Sequence, residues 1–330
     1  AASDVYKRQQ LRYMGGCNMD YVTRGLLVEG NNYYVKDKKS FRAYGNIKDE
    51  DKKECFEFAF DMSYGDIGEH RSSRSGGTIH RKHGQIFINT FQGKMAEFAL
   101  YRFLLSKNIE TEKPDITRNS LGKWDSFDLQ CQGKHISVKS TKSYGNLLLL
   151  EEKDWNDNGE YTPNIGKDTT KYDYTVLVRF NPDGEKIMRD NRLLYQKNEE
   201  IPIDIKDILT ENIFNKDWSY DFPGFIYYSE VVKMIRQRKI IPKGAMLNGR
   251  TKMDATNYYF QTGDMHAVIE LYTPIVGSAD KDKGHIPLER RCPKCGKRLI
   301  IRQGYNCFWG CEGYADNPQC RYHEAIENKR

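Results

Sequence analysis

The clearest pattern along the chain is a run that is apolar nearly all round. FQGKMAEFALYRFLLSKN (91–108) combines strong helix formers with apolar residues on every face, which predicts a buried helix. FDLQCQGKHISVKST (127–141) alternates apolar and polar residues on both sides of Gly133–Lys134, which predicts a hairpin. YDYTVLVRF (172–180) is dense in β-branched and aromatic residues and reads as a strand. NLLLLEEK (146–153) reads as a strand running into a turn, with Glu151 and Glu152 as surface charges. YYSEVVKMIRQRKII (227–241) has the period of an amphipathic helix, stopped by Pro242 and Gly244. CFEFAFDMS (55–63) suits either a short helix or a strand. Together these elements predict an α/β fold.

Polar stretches divide the pattern. GEHRSSRSGGTIHRKHG (68–84) is rich in Gly, Ser and basic residues and reads as a loop or arm. GSADKDKGHIPLER (277–290) reads as a linker, and a compact Cys-rich module follows it. Residues 1–13 resemble translated sequencing-adapter sequence, so the native start is expected at Met14 or Met19.

The chain has 330 residues, 30% of them charged, and a mean hydropathy of -0.78. No apolar run reaches membrane-span length, and no secretory signal is evident, which sets the expectation of a cytoplasmic protein. Net charge is +6 and unevenly placed. Residues 285–330 hold nine Lys/Arg against five Asp/Glu, and residues 70–96 hold five Lys/Arg and no acid. Such local basic surfaces suit a polyanion, and on the arm Arg71, Arg74, Arg81 and Lys82 are candidate phosphate contacts. The plainer reading is a solvated face. The arm's histidines, at 70, 80 and 83, match no standard metal spacing.

Five of the eight cysteines lie between 292 and 320. Crowded thiols without an export signal point to metal rather than disulfides. Cys292, Cys295, Cys311 and Cys320 follow C-x2-C-x15-C-x8-C, and a C-x2-C turn presents two thiolates to one tetrahedral Zn2+. Cys307, in a strand-like run with Phe308 and Trp309, reads as a non-ligand. Cys17, Cys55 and Cys131 are isolated and read as small buried apolar residues. The C-P-x-C-G start, the F-W-G-C before the third ligand and Tyr314 ahead of the last Cys resemble the zinc ribbons at the C-terminus of type IA DNA topoisomerases. The resemblance implies contact with single-stranded or distorted DNA. Trp309, Tyr314, Tyr305 and Phe308 would then stack on bases, and Arg298, Arg302 and Arg321 would meet phosphates. The alternative is a zinc-stapled protein-binding module whose aromatics are its core.

The hairpin carries a second constellation. With the turn at Gly133–Lys134, Gln132 pairs with His135 and Asp128 lies opposite Lys139. Ser137 and Lys139 share a face, and cross-strand Cβ atoms lie about 4.5–5.5 Å apart, so Asp128 and Lys139 can converge on one point. A carboxylate and a lysine so placed suit a metal-dependent phosphodiesterase. The order of helix, F-D-L and I-S-V-K-S-T-K resembles the PD-(D/E)xK nucleases, which include most type II restriction endonucleases. That resemblance implies a restriction-endonuclease-like core, a mixed sheet flanked by helices, over 86–276; an N-terminal region over 14–85 precedes it, and a linker over 277–289 and a zinc ribbon over 290–330 follow it. It implies Mg2+ on Asp128 and Glu97, with Lys139 organising the water nucleophile. It also implies DNA as substrate, a cognate DNA methyltransferase as partner and a homodimer as one assembly.

Ser137 stands where the pattern places an acid. A subset of restriction enzymes carries S-V-K with the acid on a nearby helix, so Glu97, Glu151 and Glu152 are the substitutes, Glu97 preferred. A first-turn position favoured by the helix dipole would also explain Glu97, and a solvent-facing hairpin edge would explain Asp128. Lys139 interrupts an apparently central strand, where an unpaired lysine is costly. Asp115 and Asp125 are less well placed. The stretch 222–265, with Lys243, Arg250, Lys252, Tyr258 and Tyr259, suits either DNA contact or a Gly-bearing loop and a half-buried strand. A DNA-repair nuclease, or a non-catalytic DNA-binding protein with a decayed core, would leave the same traces.

Overall fold

The computed structural model describes residues 23–65, 82–117, 128–166, 169–273, 287–304 and 306–326. Two compact units result, one over 25–268 and one that includes 269–330. Residues 25–65, read from sequence as part of an N-terminal region, belong to the larger unit.

That unit begins with β1 (Leu27–Glu29), β2 (Asn32–Tyr34) and β3 (Gly45–Asn46). Helix α1 (Asp49–Tyr64) resolves the ambiguity of CFEFAFDMS in favour of helix. Asp49, Glu50 and Asp51 fill its first turn, where the helix dipole favours acids. Helix α2 (His83–Ser106) starts well before the predicted residue 91. HGQIFINT therefore belongs to the helix, and it buries Phe87 and Ile88 completely. Phe56 of α1 meets Phe87 and Phe91 of α2 edge-on, at centroid distances of 5.4 and 6.1 Å. Gly84 misleads a sequence reading because glycine disfavours helix interiors. Here it permits a close approach: a Cβ at Gly84 would lie 2.0 Å from the Leu193 carbonyl oxygen. Gly84→Ala is therefore expected to destabilise the protein by about 2 kcal/mol or more, measured by denaturant unfolding. A neutral substitution would show that this contact is slack.

The strands continue with β4 (Leu129–Cys131), β5 (Lys134–Lys142), β6 (Leu147–Glu151) and β7 (Tyr174–Asn181). After helix α3 (Gly184–Asp190) and the short α4 (Ile205–Leu209) comes β8 (Ser219–Tyr227). Helix α5 (Tyr228–Arg236) is shorter than the predicted 227–241, because β9 (Ile240–Ile241) takes its end. Then follow β10 (Met246–Leu247), β11 (Thr251–Lys252) and β12 (Asn257–Gln261).

The central sheet has the order β3-β8-β7-β5-β4. β5 and β7 are parallel and the other neighbours antiparallel, so the sheet is mixed, as expected. β7 is buried along almost its whole length. Arg179 on β7 is buried and donates to both carboxylate oxygens of Asp221 at 2.8 and 2.6 Å. It also donates to the Lys39 and Ser40 carbonyls, so its charge is paired where burial would otherwise be expensive. Two smaller sheets, β6-β12-β9 and β1-β2-β10-β11, share a core of Leu26, Val35, Leu147, Ile241, Ala245, Met253 and Tyr259. Tyr258 and Tyr259 are thus interior residues, on a strand that is buried throughout rather than half-buried. No described helix is long and apolar enough to cross a membrane.

The smaller unit carries a three-stranded sheet of β13 (Leu299–Gln303), β14 (Cys307–Cys311) and β15 (His323–Ala325).

Candidate active-site cleft and four-cysteine centre

The hairpin register differs from the sequence reading. β4 and β5 pair Leu129 with Ile136, Gln130 with His135 and Cys131 with Lys134. The turn is therefore Gln132–Gly133, not Gly133–Lys134, and both residues have positive φ (51° and 73°). A two-residue turn with positive φ at both centres matches the twist of the flanking strands, whereas Lys134 prefers to remain extended. The shift brings Asp128 level with Ser137 rather than Lys139.

Asp128 and Lys139 nevertheless meet. Asp128 Oδ2 accepts from the Val138 backbone N–H at 2.7 Å and from Ser137 Oγ at 3.1 Å, and Lys139 Nζ lies 3.7 Å away. Ser137, buried at 1% exposure, thus positions the aspartate instead of replacing it. Lys139 is not the costly buried lysine that a central strand implied, since 40% of its side chain is exposed. Among the described residues, β4 pairs only with Lys134–Ile136, and none pairs with β5 on that side from Ser137 onward.

Glu97 lies well inside α2, so a first-turn dipole effect does not explain it. Its side chain is 9% exposed and pairs with Lys94 at 2.8 Å. Burial pushes its pKa up to about 8, with Lys94 opposing the rise, the Asp128 carboxylate adding to it and Lys139 opposing it. Glu97, Asp128 and Lys139 therefore feel one another's charge. Because the folded value lies above the ordinary 4.5, protonated Glu97 stabilises the fold fully below about pH 4.5, and that contribution is lost as pH rises through about 8. Glu97→Gln is expected to flatten this dependence. In metal-free buffer at about pH 9 the variant should be more stable than the wild type by about 1 kcal/mol or more. Melting curves across pH check this, and an unchanged pH profile would contradict it.

A cleft of about 260 Å³ opens beside the hairpin, lined by Asp128, Lys139, Glu151, Asp154, Trp155 and Tyr172 among others. Glu151 and Glu152 separate here. Glu151, 13% exposed in its side chain, lines the cleft and is no surface charge. Glu152 pairs outward with Arg238 at 2.7 Å, as a surface acid does. Asp154, buried at the end of the same turn, was not singled out by the sequence, because its place depends on a single 3-10 turn after β6. Burial and the Asp128 carboxylate keep the Tyr172 phenol protonated far above its ordinary range. Asp115 caps its own loop, accepting from Thr117 N at 2.7 Å, and Asp125 lies outside the described residues.

The basic candidates fare unequally. Arg71, Arg74 and Arg81 lie outside the described residues, and Lys82 precedes α2, its N–H donating to Gln85 Oε1 at 3.1 Å. Arg298 is engaged with Glu312 and Glu289, at 3.1 and 3.4 Å. Trp309 is 4% exposed, with the Arg290 guanidinium 4.9 Å from its ring centroid, so it belongs to the ribbon core and not to a stacking surface. Tyr314 is 53% exposed, with the Arg302 guanidinium 5.7 Å from its ring centroid. Phe308 is half-buried against His323, and Tyr305 lies outside the described residues.

In the ribbon the four predicted cysteines converge, all sulfurs within 4.8 Å of one another. Cys292 and Cys320 are 3.7 Å apart and Cys295 and Cys311 3.3 Å apart. Tetrahedral Zn–S bonds of about 2.3 Å require sulfurs about 3.8 Å apart, so the set fits a structural zinc. The Gly296 N–H donates to the Cys292 carbonyl at 2.8 Å, and Gly296 has φ 73°, which closes the first knuckle. Cys311 Sγ accepts from the Gly313 N–H at 3.3 Å. Cys307 is exposed and outside the cluster, and Cys55 and Cys131 are buried in the larger unit. Among the described residues, no other group of three or more His, Cys, Asp or Glu is close enough to share an ion.

The described chain is thus a mixed α/β unit with an acidic cleft, plus a four-cysteine ribbon. The chain is 48% identical over 42 residues to DNA topoisomerase 1 of Methanocaldococcus jannaschii, in that protein's zinc-ribbon region. The match covers 12% of this chain and 5% of the topoisomerase. No protein-family model matches the chain, and no solved structure matches it.

Proposed function

We propose that the protein is a metal-dependent DNA endonuclease of restriction-endonuclease type, with the larger unit as catalyst and the zinc ribbon as a DNA-gripping module. The observation that carries this reading is the Asp128–Lys139 pair, its aspartate held by Ser137 and Val138, lining an acidic cleft. Mg2+ commonly takes one or two protein carboxylates and fills its shell with water and phosphate oxygens, so three converged acids are not required. Asp128 is the fixed ligand in this reading. Glu97 completes the protein set, and Glu151, in the same cleft, is the alternative acid. The metal would polarise the scissile phosphate and lower the pKa of a bound water.

The chain's own groups do the rest. The Val138 N–H and Ser137 hydroxyl anchor the Oδ2 oxygen of the Asp128 carboxylate. Lys139 Nζ orients the attacking water and meets the charge developing on the phosphate, and hydrolysis leaves a 5′-phosphate. Arg302 and Tyr314 on the ribbon, with the arm at Arg71, Arg74, Arg81 and Lys82, supply backbone contact and stacking. A cognate methyltransferase would accompany such an enzyme in restriction.

Incubation of supercoiled plasmid with the purified chain and Mg2+ tests the reading: nicked or linear product supports it. Glu97→Gln and Glu151→Gln, assayed side by side, identify the second acid. Ser137 at the acid position favours a second reading, a DNA-binding protein without catalysis. That reading predicts a shifted but intact plasmid in every divalent metal tried.

A further inference from the structure

The cleft extends past its carboxylates into an aromatic corner that phosphate hydrolysis does not need. Trp155, Tyr161 and Tyr172 form a triangle, with ring centroids 5.4 Å (Trp155–Tyr161), 6.2 Å (Trp155–Tyr172) and 6.2 Å (Tyr161–Tyr172) apart. An isolated antiparallel bridge ties Trp155 to Tyr161, which fixes the spacing of the first two rings. Asn164, 4% exposed, donates from Nδ2 to the Thr169 carbonyl at 3.1 Å and to Tyr172 Oη at 3.4 Å, so its amide orientation is set. All three rings, Asn164 and Asp154 line the same cleft as Asp128 and Lys139; Tyr161 is the partly exposed ring, while Trp155 and Tyr172, each 8% exposed, back it.

Its volume, about 260 Å³, falls just below the range of roughly 300–1,000 Å³ typical of drug-sized ligands. One ring system fits, and a stacked duplex does not. Aromatic faces bind bases of any sequence, and a carboxylate beside them can accept from the donors of a base edge. We infer that this corner receives a single unstacked nucleobase of the strand whose phosphate lies at Asp128 and Lys139. The location of that phosphate rests on the nuclease reading above; the pocket itself does not. Extrusion from an intact duplex costs several stacking and pairing contacts, so single-stranded, mismatched or damaged sites should be favoured over perfect duplex.

Photo-crosslinking of the full wild-type chain to a single-stranded oligonucleotide carrying 5-iodouracil, without added Mg2+, tests the site. Mass spectrometry should find adducts on Trp155, Tyr161 or Tyr172. Adducts confined to the ribbon or to other surfaces would overturn the proposal. Tyr161→Leu, at a partly exposed ring, gives an independent readout: the preference for a mismatched over a fully paired duplex should fall about 10-fold. An unchanged preference in a folded variant also overturns the proposal. The two readings fail separately. Adducts in the corner with no plasmid cleavage in Mg2+ would remove the nuclease reading and leave the pocket. Cleavage with adducts only elsewhere would do the reverse.

Discussion

Lys139→Ala is expected to lower Mg2+-dependent DNA cleavage by about a thousandfold or more while leaving the fold intact. The size follows from the role. A positioned ammonium at the reacting phosphate both orients the water and neutralises developing charge, and groups of this kind contribute on the order of 10²–10⁴ in rate. The small stability effect follows from the site. Lys139 is 40% exposed, beyond the end of β4, and its 3.7 Å contact with Asp128 is a half-exposed ion pair of little energetic weight. Circular dichroism and melting should therefore match the wild type. Asp128→Asn should behave alike, because an amide oxygen can still accept from the Val138 N–H and Ser137 Oγ but is a poor Mg2+ ligand. Equal cutting by the wild type and both variants would place the chemistry elsewhere in the molecule.

Loss of zinc should have the second large effect, on folding rather than on rate. The smaller unit's described interior is little more than Leu271, Tyr272, Leu288, Leu299, Trp309 and the stem of Arg290, beside the cysteines themselves. A core this small cannot offset the chain entropy of an ordered module. Metal binding in small Cys-rich modules supplies roughly 10–16 kcal/mol at neutral pH, which is then the folding energy itself. Cys311→Ser is the sharpest probe, since Cys311 is 1% exposed and its sulfur also accepts from the Gly313 N–H. The variant should lose its single equivalent of zinc and become protease-sensitive over 287–326. The larger unit, with no part in that centre, should keep its melting transition. A ribbon indifferent to strong chelators would contradict the assignment.

How far these features could be read from sequence depended on how local their cause was. The zinc ligands were legible outright, because tetrahedral coordination constrains the spacing of Cys292, Cys295, Cys311 and Cys320 within one short module. The buried helix and the β5 and β7 strands were legible from their patterns, although α2 started earlier because Gly84 serves packing against Leu193. The hairpin was legible but its register was not. Gln132 at φ 51° gives a two-residue turn that competes with the glycine-lysine turn, and residue type alone does not rank them. That slip moved Asp128 by two residues along its partner, yet a long lysine side chain still closed the distance. The cleft was least legible. Glu151, Asp154, Trp155 and Tyr161 come to Asp128 only through long-range packing, which no short spacing records. Trp309 failed as a surface residue for the converse reason: an aromatic in a strand alternation gives no sign of which face is the core until β13 and β15 are placed on either side of it.

Cleavage of phosphodiester bonds at the Asp128–Lys139 cleft with a divalent metal is the activity proposed for this chain. The most direct measurement is the single-turnover conversion of supercoiled plasmid to nicked or linear DNA. The wild type, Asp128→Asn and Lys139→Ala would be compared in Mg2+, each first shown to be folded and zinc-loaded. Cleavage is expected from the wild type alone, with 5′-phosphate ends, and none when Mg2+ is omitted. Intact plasmid with the folded wild type across Mg2+ and Mn2+, on duplex and single-stranded DNA alike, would contradict it.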